Sequence, residues 1–141
     1  MEISKNDLIS LSAIRLREAK LLLDGGEYSG AYYIAGYSVE LALKACIAKN
    51  FRADALPDKT FVKDIYDKGH DLEKLIGLAG LKIELDKEVK INSLFKGNWG
   101  FVNNWKAEAR YEFWDKINAI TLYNAIADPI HGVLQWVKKY Y

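Results

Sequence analysis

Ala31-Tyr-Tyr-Ile-Ala-Gly-Tyr-Ser-Val-Glu-Leu-Ala-Leu-Lys-Ala-Cys-Ile-Ala48 is the most apolar stretch of the chain. Ala31, Ile34, Ala35, Ser38, Leu41, Ala42, Ala45 and Cys46 recur at intervals of three and four, the period of one helix face. Tyr32, Gly36, Val39, Leu43 and Ile47 form a second apolar row beside it. A helix apolar around most of its circumference belongs in the middle of a bundle, and its Ala and Gly positions let neighbouring helices come close. A narrow stripe is left over: Tyr33, Tyr37, Glu40 and Lys44. Two charges would be costly at a bilayer centre, so the stretch reads as a buried helix and not as a membrane span.

Upstream, a first helix is expected from Asn6 or Asp7, either of which can cap it. Leu8, Leu11, Arg15, Ala19 and Leu22 share one face, and Asp24-Gly25-Gly26 stops the helix. Ser29 is the expected cap of the central helix. Downstream, Phe51 to Gly69 reads as a long connection with a short helical turn near Phe61 to Tyr66. His70-Asp71 opens a third helix, with Asp71 as cap and Leu72, Leu75, Ile76 and Ala79 inward. A fourth helix is expected over Leu85 to Lys96, broken at Gly97-Asn98-Trp99-Gly100. The last pattern runs from about Trp114 to Lys139, and Pro129 must kink it or restart it. No alternating run is bracketed by Asn-Gly or Asp-Gly, so no hairpin is expected. The fold class is all-α: an antiparallel bundle of four to five helices in one domain, residues 1–141.

Composition narrows the function. The 20 basic and 19 acidic side chains leave a net charge of +1, which gives no global field for coating DNA or RNA. Only four of the basic residues are arginines: Arg15, Arg17, Arg52 and Arg110. A local phosphate site remains open, because arginine's fork geometry suits phosphate. The single cysteine, Cys46, falls on the buried face and cannot form an internal disulfide, which fits a reducing compartment. No signal-peptide core is present at the start, so the expected location is cytoplasmic.

The residues that could carry chemistry are few. Glu40 and Lys44, four apart, can pair within the helix. Two readings are open: a structural ion pair at a helix interface, or a polar patch lining a cleft with Tyr33 and Tyr37. Arg110-Tyr111 could hold a phosphate and stack a base, or Arg110 could pair with Glu40, Glu108 or Glu112. His70 and His131 are the only histidines and lack a third partner for a metal site. There is no G-x-S-x-G, P-loop or G-x-G-x-x-G, and no cofactor is implied. The dense aromatics Trp99, Phe101, Trp105, Tyr111, Phe113 and Trp114 suit a core, with a surplus for a dimer interface.

Taken together, these segments resemble the HEPN domain family. Leu22 to Ala45 is similar to the family core, a leucine-ended helix, a Gly/Tyr turn and a Glu-Leu-x-Leu-Lys signature at Glu40 to Lys44. His70-Asp71-Leu72 with Leu75 resembles the family's start of helix three, and Ala109-Arg110-Tyr111 its Ala-Arg-Tyr element. The resemblance implies a helical bundle like the substrate-binding subunit of nucleotidyltransferases, usually a homodimer. It also implies nucleotide binding, or partnership with a minimal nucleotidyltransferase in a toxin–antitoxin pair. Catalytic members are metal-independent ribonucleases with an Arg four to six residues before a His. Here no arginine precedes His70 or His131 at that distance, Lys63 being the nearest basic residue at comparable spacing, and Glu112 replaces the proline that often follows the tyrosine.

The expected site residues are therefore Arg110 and Tyr111, with Lys44, Glu40, Tyr37 and His70, in a non-catalytic binding module. The alternatives are a ribonuclease toxin using His70 or His131 with Arg110, and a structural homodimer that engages a partner protein through its aromatic surface.

Overall fold

The computed structural model describes residues 3–51, 55–56 and 71–141. The expected turn near Phe61 to Tyr66, and His70, lie outside the described residues. Among those described, seven α-helices and one 3-10 helix make up nearly all the regular structure. They are α1 (Lys5–Asp24), α2 (Tyr28–Ala48), α3 (Leu72–Leu78), α4 (Lys82–Ile91), α5 (Ser93–Asn103), the 3-10 helix Ala107–Tyr111, α6 (Lys116–Ala127) and α7 (Val133–Val137). The all-α bundle expected from the sequence is the fold.

The apolar circumference of α2 has the consequence that its pattern requires. Fourteen of its residues are buried, including Ala35, Val39, Ala42, Leu43 and Ala45, and α1, α3, α6, α7 and the 3-10 helix all pack against it. The small residues set the distances. Gly36 is the clearest case: the Trp105 ring occupies the space where a Cβ would stand. Against α1, Leu8 and Ala19 are buried, and the buried Ser12 hydroxyl donates to the Ser38 carbonyl over 2.7 Å. That bond satisfies a polar group that would otherwise be costly inside the core.

Several boundaries differ from the sequence expectation, each for a local reason. Ser4 caps α1, its Oγ accepting from Asp7 N at 3.0 Å, so the helix starts before Asn6. Gly26, with φ of 82°, takes the left-handed turn expected after Asp24. Ser29 is not the cap of α2, which begins at Tyr28; its hydroxyl accepts from Trp114 N instead (2.8 Å). The expected fourth helix is two helices. Asn92 breaks it by capping α5, its Oδ1 accepting from Phe95 N at 3.0 Å. Gly97 to Gly100, expected as a break, lie inside α5, whose buried Phe95, Trp99 and Val102 hold it to the core. Pro129 does split the final pattern. Asp128 Oδ1 accepts from the Ile130 and His131 N–H groups (2.8 Å each), and the chain resumes as α7 at Val133.

One pairing had no signal in the sequence. Strands β1 (Ile3–Ser4) and β2 (Ala55–Leu56) are antiparallel, with Ile3 opposite Leu56. They are not neighbours along the chain, so no turn motif marks them.

Candidate functional site

The 3-10 helix Ala107–Tyr111 lies across the N-terminal half of α2 and is fastened at both ends. At its start, Asp71 and Lys106 form an antiparallel bridge, and Lys106 Nζ stands 3.6 Å from Asp71 Oδ2. The other carboxylate oxygen of Asp71 caps α3, accepting from Glu73 N (3.1 Å) and Lys74 N (3.3 Å). At its end, Trp114 folds back, and its indole N–H donates to the Ala109 carbonyl (3.2 Å). Ala107 and Ala109 are buried, which turns the alternate residues, Glu108 and Arg110, outward.

The ring stack beneath this helix supplies its seat. Tyr32 and Trp114 stack at 3.7 Å with 11° between their planes. Tyr33 lies 5.9 Å from Trp105 and 6.1 Å from Tyr37, centroid to centroid. Burial raises the pKa of Tyr32, with a smaller contribution from Glu112. Burial likewise raises Tyr37, helped by the charge of Glu40 and opposed by Arg15. Both phenols are therefore neutral donors at ordinary pH.

Arg110 is exposed, with its guanidinium carbon 4.9 Å from the Tyr111 ring centroid. The Tyr111 side chain first, and Tyr33 second, hold its pKa above the already high arginine value. Among the described residues no carboxylate pairs with it. The pairing with Glu40, Glu108 or Glu112 open on sequence is thus absent there. The result is a permanently charged fork at the surface with rings on two sides, an arrangement suited to a planar or phosphate-bearing anion.

The other expected site residues fall at a distance. Glu40 is fully buried and Lys44 nearly so, and they pair at 3.1 Å. Lys44 is eleven residues beyond Tyr33 on α2, roughly 16 Å along the axis, so it does not share one contact point with Arg110. Tyr37 stands between the two, within the charge of Glu40. His131 Nδ1 is 3.2 Å from Asn92 Nδ2, and its carbonyl accepts from Asn98 (2.9 Å). It belongs to the joint of α4, α5 and the Asp128 turn, and no contact brings it to Arg110. Cys46 is buried, and burial pushes its thiol up to about 11, which makes it inert.

Three features escaped the sequence reading. Tyr33 stands at Arg110, Ser29 ties the loop after the 3-10 helix to α2, and Trp105 is wedged over Gly36. Only the alternation of Ala107 and Ala109 with charged neighbours could have shown that Arg110 faces outward. Among the described residues, no three His, Cys, Asp or Glu side chains gather as metal ligands, and no helix is long and apolar enough to cross a membrane.

Fold and site together define an α-helical module with one exposed arginine set among aromatic rings. The model of the HEPN domain family matches residues 6–115, which include α2, Asp71 and Ala109-Arg110-Tyr111. The chain belongs to the HEPN domain family. No curated protein and no solved structure matches it.

Proposed function

We propose that this HEPN domain is a non-catalytic module that binds a nucleotide or another phosphate-bearing ligand at Arg110. In this reading it acts as a homodimer beside a minimal nucleotidyltransferase, as in toxin–antitoxin pairs. The single observation that carries the binding part is the exposed Arg110 guanidinium, flanked by Tyr111 and Tyr33 and with no carboxylate partner among the described residues. Arg110 meets phosphate and Tyr111, 76% exposed, is free to stack on the ligand. Tyr37 and the Glu40–Lys44 pair extend the polar stripe along α2. Next to the arginine, Phe113 is fully exposed and Ile117 is 75% exposed. These apolar side chains supply a surface for a second copy or a partner protein.

Isothermal titration with ATP tests the binding part. Heat is expected from the wild type and none from Arg110→Ala, whose side chain supports no ion pair among the described residues. Equal binding by the two proteins, or no heat from either, removes the assignment. Size-exclusion chromatography of Phe113→Asp tests the surface, with a shift from dimer to monomer expected.

A further inference from the structure

A cleft walled by Trp114, four residues past the arginine in the chain, remains unassigned. Tyr32, Phe101, Asn104, Trp114, Asn118 and Leu122 line it, and its volume is about 270 Å³. Trp114 forms the fixed wall. Its ring stacks on Tyr32, its backbone N–H donates to Ser29 Oγ, and its indole N–H donates to the carbonyl of Ala109. The wall is thereby anchored to the residue that precedes Arg110. Phe101 is half exposed and stacks on no other ring among the described residues. Asn104 and Asn118 are exposed at the cleft. The Asn104 carboxamide makes no hydrogen bond within the described residues, whereas Asn118 gives one N–H to Asp115 Oδ1 (2.9 Å) and keeps the other, with its carbonyl, free. Among the described residues no charged side chain lines the cleft.

We propose that this cleft holds the base of the ligand whose phosphates meet Arg110, and that the base is adenine. Flat aromatic walls accept any base by stacking, so the walls give affinity without choice. The choice comes from the polar lining. A carboxamide presents a donor and an acceptor side by side, which matches the N6 amine and N7 of adenine. The corresponding edge of guanine offers two acceptors and calls for Arg or Lys, and the cytosine amine calls for Asp or Glu. Neither kind of side chain lines this cleft among the described residues. The inference rests on the nucleotide-binding reading above. It places base and phosphate on the two sides of the 107–114 segment, which Trp114 and Arg110 share.

Titration of ATP, GTP, adenosine and inorganic triphosphate into the wild type, Asn104→Leu and Phe101→Ala tests it. Asn104 and Phe101 are exposed, so the folds should persist, as far-UV circular dichroism would verify. ATP should bind about tenfold or more tightly than GTP or triphosphate, one donor–acceptor pair being worth that much. Asn104→Leu should erase the preference for ATP over GTP while leaving triphosphate binding unchanged. Phe101→Ala should weaken ATP and adenosine alike. Adenosine should also quench the fluorescence of Trp114, the other three tryptophans being buried. Equal affinity for ATP, GTP and triphosphate would overturn the base assignment and leave the phosphate reading intact. Adenosine binding without triphosphate binding would support the cleft and sink the role of Arg110. No binding of any of the four would overturn both.

Discussion

Replacing Gly36 with alanine tests the packing that holds the site in place. A Cβ at this position would lie 2.2 Å from Cδ1 and Nε1 of Trp105 and 2.3 Å from its Cε2. Carbon atoms rest at about 3.5–4.0 Å, so the ring must retreat by roughly 1.3 Å or more. It has nowhere convenient to go, being fully buried and set against Tyr33. Over-packing of a dense core costs about 1–3 kcal/mol, and contacts this close belong at the upper end. Alanine gains about 1 kcal/mol over glycine as a helix former. The net expectation is a loss of about 2 kcal/mol, or about 8 °C in Tm for a chain of this length. Urea unfolding followed by far-UV circular dichroism gives the first number and a thermal scan the second. Near-UV circular dichroism should change as well, because Trp105 leaves its seat. An unchanged or raised urea midpoint would mean that helix propensity dominates, and that Trp105 is not wedged on α2.

Four further outcomes follow from the same structure. Lys44→Met leaves the fully buried Glu40 without its cation and should cost about 3 kcal/mol, the low side of the range because Glu40 retains another interaction; the same change at the exposed Lys20 should leave the urea midpoint where it is. Cys46 should resist alkylation at pH 8 until urea is added, since a thiol with a pKa of about 11 is only about one part in a thousand thiolate at that pH. Its folded pKa lies above the ordinary value of 9.0, so folding favours the protonated thiol; stability is fully present below pH 9 and should decline as pH rises through 11 in a urea series. Asn92→Ala removes the cap of α5 together with the contacts to Glu88 and His131, and should cost about 1–2 kcal/mol by urea titration.

The parts of the fold that the sequence made legible are those where one physical signal dominates. The apolar circumference of α2 admits only a central position, and Asp71 and the Gly25-Gly26 stop are local devices that act alone. The split of the fourth helix was hidden because two signals competed. Gly97 and Gly100 weaken a helix, but a Cβ at either would meet nothing, so they sit on an open side while Phe95, Trp99 and Val102 bind the other. Asn92, which reads as an ordinary polar residue, ends one helix and starts the next. Ser29 looked like a cap because serine caps are common, yet its hydroxyl is taken by Trp114, a partner 85 residues away.

The candidate site was legible as residue types and less so as a constellation. Arg110 and Tyr111 adjoin in the chain, so their contact was visible. Tyr33 reaches them only through the crossing of the 3-10 helix over α2, which no local pattern encodes. Glu40 and Lys44, spaced for a pair, do form one, but too far along the helix to share a contact with Arg110.

Site-resolved titration of isotopically labelled protein with ATP, read by amide chemical shifts, tests the central claim most directly. Binding at Arg110 should move the amides of residues 107–118 and of Tyr33 most, and Arg110→Ala should abolish the shifts at 107–111 and weaken the binding that the others report. An unperturbed spectrum, or shifts centred on Asn92 and His131 instead, would contradict the assignment of this surface as the ligand site.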